Sequence, residues 1–303
     1  MGESTGISWT DHTANFWRGC HRVSPGCENC YAEALVVHRQ KLPLWGPPKT
    51  TLRRRGKSVW KDVPRWDRAA RDAGVRRRVF VSSLSDIFEA HPQVAPWRAE
   101  ALALLATCTH LDVQLLTKRP ENIRGMVPPA WLDHWPRHLW VGTTVEDQRR
   151  AEERIPHLLR VPAPVRFLSC EPLLGAVDLT MALEEFQPLN PDLSQKPPPV
   201  QWVIVGGESG PDARSFEVVW ARSILRQCIA AGVPCFVKQL GDNPRTTLPA
   251  SEVWPSHGLC GKGVQFNGDG FGHYQVTGLA HHGADPSEWP AHLRVREFPG
   301  GSP

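Results

Sequence analysis

Three cysteines, Cys20, Cys27 and Cys30, fall within eleven residues of the segment RGCHRVSPGCENCYAEAL. They cannot all pair as disulfides with one another, and three thiolates leave a four-coordinate metal one ligand short. The spacing Cys20-x6-Cys27-x2-Cys30 admits three uses. Zinc would need a fourth ligand, and His12 or His21 has the nitrogen to complete a Cys3His site. A redox pair of Cys27 and Cys30 would leave Cys20 without a role. An iron–sulfur cluster on three thiolates would keep one iron open to a further ligand. Gly19 and Gly26, each just before a cysteine, together with Pro25 describe a tight loop in which backbone can wrap a bulky cluster. On spacing alone, zinc and cluster stand level.

A second group of chemistry-bearing residues recurs farther along. Short β-branched runs at 78–86, 112–120, 138–146, 165–173, 201–210 and 234–241 each finish in polar or small residues. Those endings are Ser83, Ser85 and Asp86; Lys118 and Arg119; Thr143, Thr144 and Glu146; Glu171; Gly206, Gly207 and Glu208; and Lys238 with Gln239. Between most runs lie helix-like segments at 95–108, 145–159 and 216–232, the last closed by Gly232 as a C-cap. Strands alternating with helices imply βαβ units and a parallel sheet, and an earlier strand near 15–18 would precede the cysteines. In a β/α barrel the C-terminal strand ends converge on the face that carries the active site. The predicted fold is therefore α/β, a partial (β/α) barrel of about six to seven parallel strands over residues 1–241, with the cysteine loop at 19–31. Residues 242–303 form a C-terminal extension capping the barrel, with a small hairpin in GVQFNGDGFGHYQV. DLSQKPPPVQ (192–201) is a Pro-rich linker or insertion.

The chain has 303 residues, 41% hydrophobic and 22% charged, which describes an ordinary globular protein of one or two domains. Its apolar runs are too short to span a bilayer, and a charged n-region followed by an apolar h-region is absent, so a cytoplasmic protein without membrane contact is expected. Eight unevenly spaced cysteines argue against a secreted disulfide scaffold. Cys108, Cys170, Cys228 and Cys235 lie in apolar segments and read as small core residues. Net charge is only +4, but cations concentrate in KTTLRRRGKSVWKDVPRW (49–66) and in the RRR of 76–78. With Trp60 and Trp66 interleaved, that stretch can contact phosphates and stack on bases, or it can be a solvated loop.

The blocks ISWTDHTANFWRGCHRVSPGCENCYAE, VFVSSLSDIF, LLTKRPENI, LWVGTTVE, FLSCEPLLG, WVIVGGESGPDAR, AAGVPCFVKQLG and WPAHLRVREFP, in this order, resemble a phage-associated three-Cys-motif family related to radical S-adenosylmethionine (SAM) enzymes. The resemblance covers most of the chain. It implies a radical SAM-like barrel with a [4Fe–4S] cluster on Cys20, Cys27 and Cys30, whose fourth iron chelates SAM. Reduction then cleaves SAM to methionine and a 5′-deoxyadenosyl radical that abstracts hydrogen from a substrate. Two features depart from the usual radical SAM pattern. The first gap is six residues rather than three, and Asn29 precedes the last cysteine, with the aromatic Tyr31 displaced past it.

The same resemblance distributes roles over the strand ends. Ser83, Ser85 and Asp86 are candidates for the SAM amino group, and Lys118 and Arg119 for its carboxylate or a substrate phosphate. Glu146 and Glu171 are candidates for ribose hydroxyls, with Thr143 in the same set. Gly206 and Gly207 permit close backbone approach to a ligand, Glu208 is an acceptor, and Lys238 is a proton donor or phosphate contact. For each, the competing role is an ion pair at the barrel rim. The expected activity is radical chemistry on nucleic acid, most simply DNA, through residues 49–78: base modification, or repair resembling photoproduct lyases. It would draw on an electron donor and allows for a partner protein. Two other readings remain at this point: a zinc-stabilised β/α barrel that binds nucleic acid without radical chemistry, and a metal-independent hydrolase using Glu171 and Glu208 as a carboxylate pair.

Overall fold

The computed structural model describes residues 5–183, 200–247, 265–268, 274–277, 279 and 281–300. Cys260, residues 192–199 of the Pro-rich insertion and the turn of the expected hairpin lie outside the described residues. Seven strands form one sheet: β1 (His12–Thr13), β2 (Arg77–Val81), β3 (Leu111–Thr117), β4 (Leu139–Thr144), β5 (Arg166–Cys170), β6 (Trp202–Gly206) and β7 (Cys235–Gln239). They pair in chain order and in parallel, the sequential arrangement of an open β/α barrel, as the alternation of runs predicted. Every residue of β4, β5 and β6 is buried, the pattern of parallel strands covered on both faces.

The helices follow from apolar spacing. Helix α2 (Ala95–Thr107) begins with Pro96 in its first turn and buries Ala101, Leu102 and Leu105. Helix α3 covers Gln148–Leu159, and α4 (Val218–Ala231) ends at Gly232, whose φ of 65° is the left-handed C-cap geometry. Helix α1 (Val59–Asp72) was not anticipated, because its cations dominate the stretch. Its buried residues are Val59, Val63, Trp66 and Ala70, spaced to fall on one helical face.

The first strand departs from expectation. The sheet strand is His12–Thr13, bracketed by Asp11 N–H donating to Arg78 O and Ala14 N–H donating to Phe80 O. Trp17–Arg18 instead pairs antiparallel with Arg54–Arg55 as a separate two-stranded ribbon. Asn15 marks the departure from the sheet: its side chain is spent on the loop after β2 rather than on a strand neighbour.

The chain divides into two compact units, Met1–Thr144 with Arg154–Phe167, and Val145–Glu153 with Leu168–Pro303. The first holds the cysteine loop and β1–β4. In the second, the tail lies along β7: Val237 N–H donates to Val295 O, Glu297 N–H to Cys235 O, and the Phe298 ring packs at a tilt against Trp202 and Phe236. This covers a sheet edge that would otherwise present unpaired backbone. A four-stranded sheet joins Gln265–Gly268, Tyr274–Thr277, Pro244–Thr246 and Phe216–Glu217, and its first two strands are the antiparallel pair expected of the hairpin. Cys108, Cys170, Cys228 and Cys235 are buried free thiols, the small core residues that their segments predicted. Among the described residues, no helix is long and apolar enough to cross a membrane.

Candidate functional site: the cysteine loop and the strand ends

The loop that carries the cysteines is shaped by tight turns and a small core of its own. Pro25–Cys27 forms one 3-10 turn, and Cys30 caps the helical turn Tyr31–Glu33, which widens into a π-type turn over Ala34–Arg39. Ala32, Val36, Leu44 and Leu84 pack together, with Cys30, Leu35, Leu42 and Trp45 against them. Gly19 has φ 107°, and a Cβ there would meet Leu44 O at 2.4 Å and Arg53 Cδ at 2.8 Å, so only glycine lets the loop enter so close to its neighbours. Outside, Arg22 grips the Glu33 carboxylate through Nε and Nη2 at 2.9 and 3.0 Å.

All three cysteines are free thiols, and Cys27 lies near enough to both Cys20 and Cys30 to interact with them electrostatically. Burial pushes the Cys20 thiol up to about 12, with Arg119 pulling the other way. Burial also raises Cys30, opposed by the backbone N–H groups of Glu33 and Ala32 and by Lys118.

The expected fourth zinc ligands are engaged elsewhere. His12 stacks on Trp66 with centroids 4.4 Å apart, and His21 Nδ1 sits 2.7 Å from Glu89 Oε1. Among the described residues, no three His, Cys, Asp or Glu side chains converge as a site for a single metal ion. Three soft sulfur donors spread along a wrapping loop suit a polynuclear iron–sulfur group, which engages each thiolate on a different iron. The donor set fits such a cluster.

Beside the loop, the strand ends of β2 and β3 build a buried chain of charges. Asp86 receives four donors: Phe88 N–H (2.9 Å) and Thr117 Oγ1 (2.7 Å) on Oδ1, Lys118 N–H (3.0 Å) and Arg119 Nη1 (2.7 Å) on Oδ2. Burial alone would raise its pKa, but Arg119 and these donors outweigh it and hold the carboxyl below the usual carboxylate range. Arg119 continues to the cysteine loop, donating to His21 O at 2.8 Å and placing Nη1 and Nη2 each 3.7 Å from Cys20 Sγ. Behind His21, Glu89 is clasped by Arg53 at 2.6 and 2.9 Å, with both side chains fully buried. Arg53 also donates to the carbonyls of Leu44, Thr51, Leu52 and Gly46.

The remaining residues of this unit fall around the same loop. Ser83 Oγ accepts from Asn15 Nδ2 at 3.0 Å, and Ser83 O accepts from the exposed Tyr31 hydroxyl at 2.9 Å. Asn15 Oδ1 also accepts Leu84 N–H at 2.7 Å, so a single amide joins the β1 and β2 loops. Ser85 Oγ lies 2.7 Å from Ser82 Oγ. Lys118 Nζ reaches Thr144 Oγ1 at 3.3 Å, and Thr143 Oγ1 donates to Thr117 O at 2.9 Å. The structure thus gathers Tyr31, Ser83, Asp86, Lys118, Arg119 and the cysteines around one loop.

In the second unit the strand-end charges pair among themselves. Lys238 Nζ stands 2.9 Å from Glu171 Oε1 as an ion pair without hydrogen-bond alignment. Glu208 accepts Arg214 N–H (2.9 Å), Nε (3.1 Å) and Nη2 (2.8 Å), so each carboxylate of the imagined hydrolytic pair already has a cation. A Cβ on Gly206 would meet Glu171 Oε1 at 2.8 Å, and one on Gly207 would meet Leu240 O at 2.2 Å. These glycines make room for the protein's own side chain and backbone. Glu146 is fully buried, and its carbonyl accepts Leu174 N–H at 2.7 Å.

The basic stretch divides in two. Arg53 and Trp66 turn inward, which removes them from any phosphate or base contact. Arg76 pairs with Asp112, and Arg77 and Arg78 pair with Asp11. Trp60 is partly buried, with Nε1 donating to Gly56 O and Arg55 lying over its ring at 4.3 Å. Arg54, Lys57 and Lys61 remain exposed, Arg55 is exposed but paired with Glu100, and Arg54–Arg55 pairs with the strand that leads into Gly19 and Cys20.

Sequence reasoning missed Glu89, Asn15 and the inward role of Arg53. Polar residues singled out by position after a strand do not reveal such partners, and in the run Arg53, Arg54, Arg55 nothing in the sequence distinguishes the buried Arg53 from its exposed neighbours.

Strand order and cysteine loop together define an α/β protein of open-barrel topology with a sulfur-rich site after its first strand. The chain belongs to the family described as "Protein of unknown function (DUF5131)", whose model matches residues 4–275. No curated protein matches it. Among solved structures it is similar to a tyrosine-to-phenylalanine mutant of spore photoproduct lyase, with 11% identity and a TM-score of 0.41, covering 96% of this chain and 74% of that one. It is also similar to a cysteine-to-alanine mutant of spore photoproduct lyase with dinucleoside spore photoproduct, with 12% identity and a TM-score of 0.40, covering 91% and 70%.

Proposed function

We propose that the protein is a radical SAM-type enzyme that holds a [4Fe–4S] cluster on Cys20, Cys27 and Cys30 and acts on nucleic acid. The observation that carries the reading is the loop itself: three free thiols on tight turns, with a buried guanidinium aimed at one sulfur. When bound, such a cluster supplies one-electron cleavage of SAM to methionine and a 5′-deoxyadenosyl radical, drawing the electron from an external donor. The chain's own residues would seat and orient the reactants. Lys118, beside Cys30, is the cation for the SAM carboxylate. Tyr31 presents an exposed ring next to Cys30, placed to cover an adenine. Arg54, Lys57 and Lys61 supply phosphate contacts on and beside the segment paired to the cysteine loop.

The test is anaerobic reconstitution with iron and sulfide, followed by EPR of the reduced protein with and without SAM. The reading expects about four irons per chain, a signal that shifts on adding SAM, and loss of both when the three cysteines become Ala. Stoichiometric zinc, with no cluster assembled, would favour the zinc-stabilised barrel and overturn the radical reading. For the substrate class, binding of a labelled oligonucleotide should weaken steeply with salt. Arg54→Ala and Lys57→Ala should each flatten that dependence by about one phosphate contact. A salt-independent affinity argues against nucleic acid.

A further inference from the structure

Arg119 has more to do than neutralise an anion. Its planar fork has five N–H donors, and the four on its two Nη atoms already face the chain: Nη1 meets Asp86 Oδ2 and Cys20 Sγ, while Nη2 is shared among His21 O, His21 Nδ1 at 3.2 Å and Cys20 Sγ. Only Nε is left, so the bidentate grip on a carboxylate or phosphate that makes arginine a ligand-binding residue is not available here. Beside the sequence expectation that Arg119 meets the SAM carboxylate or a substrate phosphate, these contacts suggest a different role.

We propose that Arg119 tunes the cluster, donating N–H···S hydrogen bonds to the Cys20 thiolate and thereby raising the reduction potential of the bound group; this rests on the function proposed above. A thiolate that accepts hydrogen bonds donates less charge to its iron, and a nearby cation stabilises the reduced, more negative state. Both effects move the potential upward. The guanidinium and the Asp86 carboxylate are 5% and 8% exposed as side chains, so water does little to screen the interaction. Asp86, filled on both oxygens, fixes the plane of the guanidinium, and the His21 carbonyl fixes the loop to it. The same contacts therefore set the distance to sulfur as well as the charge. Lysine could supply the charge but not two N–H vectors from one rigid plane.

The experiment is a potentiometric EPR titration of the reconstituted wild-type protein, Arg119→Lys and Arg119→Gln, each first assayed for iron and sulfide per chain. At the potential where half of the wild-type clusters are reduced, Arg119→Gln at equal occupancy should show a reduced-to-oxidised ratio about tenfold lower. For a one-electron couple that is a midpoint about 59 mV more negative. Arg119→Lys should fall between the two. A purely structural role would lower occupancy and leave the midpoint of the assembled fraction where it was; equal midpoints in all three proteins overturn the proposal. If Arg119→Gln does not fold, the comparison of Arg119→Lys with wild type decides: a smaller negative shift supports the assignment, and none refutes it. A wild-type protein that assembles no cluster overturns the underlying function instead, and the metal assay separates that outcome from the others.

Discussion

The strand-end charges of β2–β3 and those of β5–β7 look alike in the sequence, and the structure puts them to different uses. Asp86 and Arg119 are turned from water, and Arg119 spends its remaining Nη donors on the cysteine loop, with Glu89 and Arg53 buried behind. Glu171 and Lys238 form an ion pair at 12% and 25% exposure, with one further, long hydrogen bond from Ser169 Oγ to Glu171 Oε2 (3.4 Å), and Glu208 is taken up by Arg214. The difference shows how burial sorts ion pairs. In a dry setting, a carboxylate with four donors has one low-energy geometry and can locate a neighbour; a half-wet pair relaxes with solvent and locates little.

The comparison breaks most visibly at Glu89. Glu89→Gln leaves the Arg53 guanidinium buried without its counter-charge, and should destabilise the protein by about 3–5 kcal/mol in urea unfolding. A loss under about 1 kcal/mol would put this pair in the same class as the solvent-tuned ones.

Asp86→Asn should cost less, about 2 kcal/mol at neutral pH, since the Arg119–Asp86 pair keeps a slight exposure that the fully buried Arg53–Glu89 pair lacks. Its pH dependence has a definite sign. The folded carboxyl is held below its usual range, so its contribution is fully present above the unfolded value of about 3.9 and is lost as pH falls through the lower folded value. The gap in stability between wild type and Asp86→Asn should be flat from about pH 5 to 8 and close on acidification below about pH 4. A gap that widens with acid contradicts the assigned anchor.

Lys238→Met sharpens the contrast from the other side. Removing one member of the partly exposed pair should change stability by about 1 kcal/mol or less, and added salt should reduce the effect further. A large, salt-insensitive loss would mean that Glu171 depends on Lys238 as Glu89 does on Arg53.

Much of the architecture was legible because parallel strands buried on both faces leave continuous β-branched runs, and those runs predicted six of the seven sheet strands. The first was misplaced by a few residues, since a two-residue strand carries almost no periodicity, and Trp17 and Arg18 look as strand-like as His12 and Thr13. Helix α1 was hidden for a related reason: the cations on its exposed face drew the reading toward a binding loop, although Val59, Val63, Trp66 and Ala70 keep helical spacing beneath them. The candidate site was legible as a set of residues rather than as roles. Cysteines announce themselves by rarity and spacing, whereas a strand-end arginine gives no sign of whether it faces a ligand or its own chain.

Chain order, strand count, the terminator at Gly232 and the gathering of three thiols in one short loop were determined by the sequence, because each depends on local periodicity, on backbone freedom or on residue chemistry. Only the tertiary structure decided that Arg53 is buried while Arg54 is not, that His21 leans on Glu89, and that Arg119 points at Cys20. Those choices hang on partners 33 to 99 residues away in the chain. A buried charge takes whatever counter-charge the fold brings within reach, and that cannot be read from its neighbours in sequence.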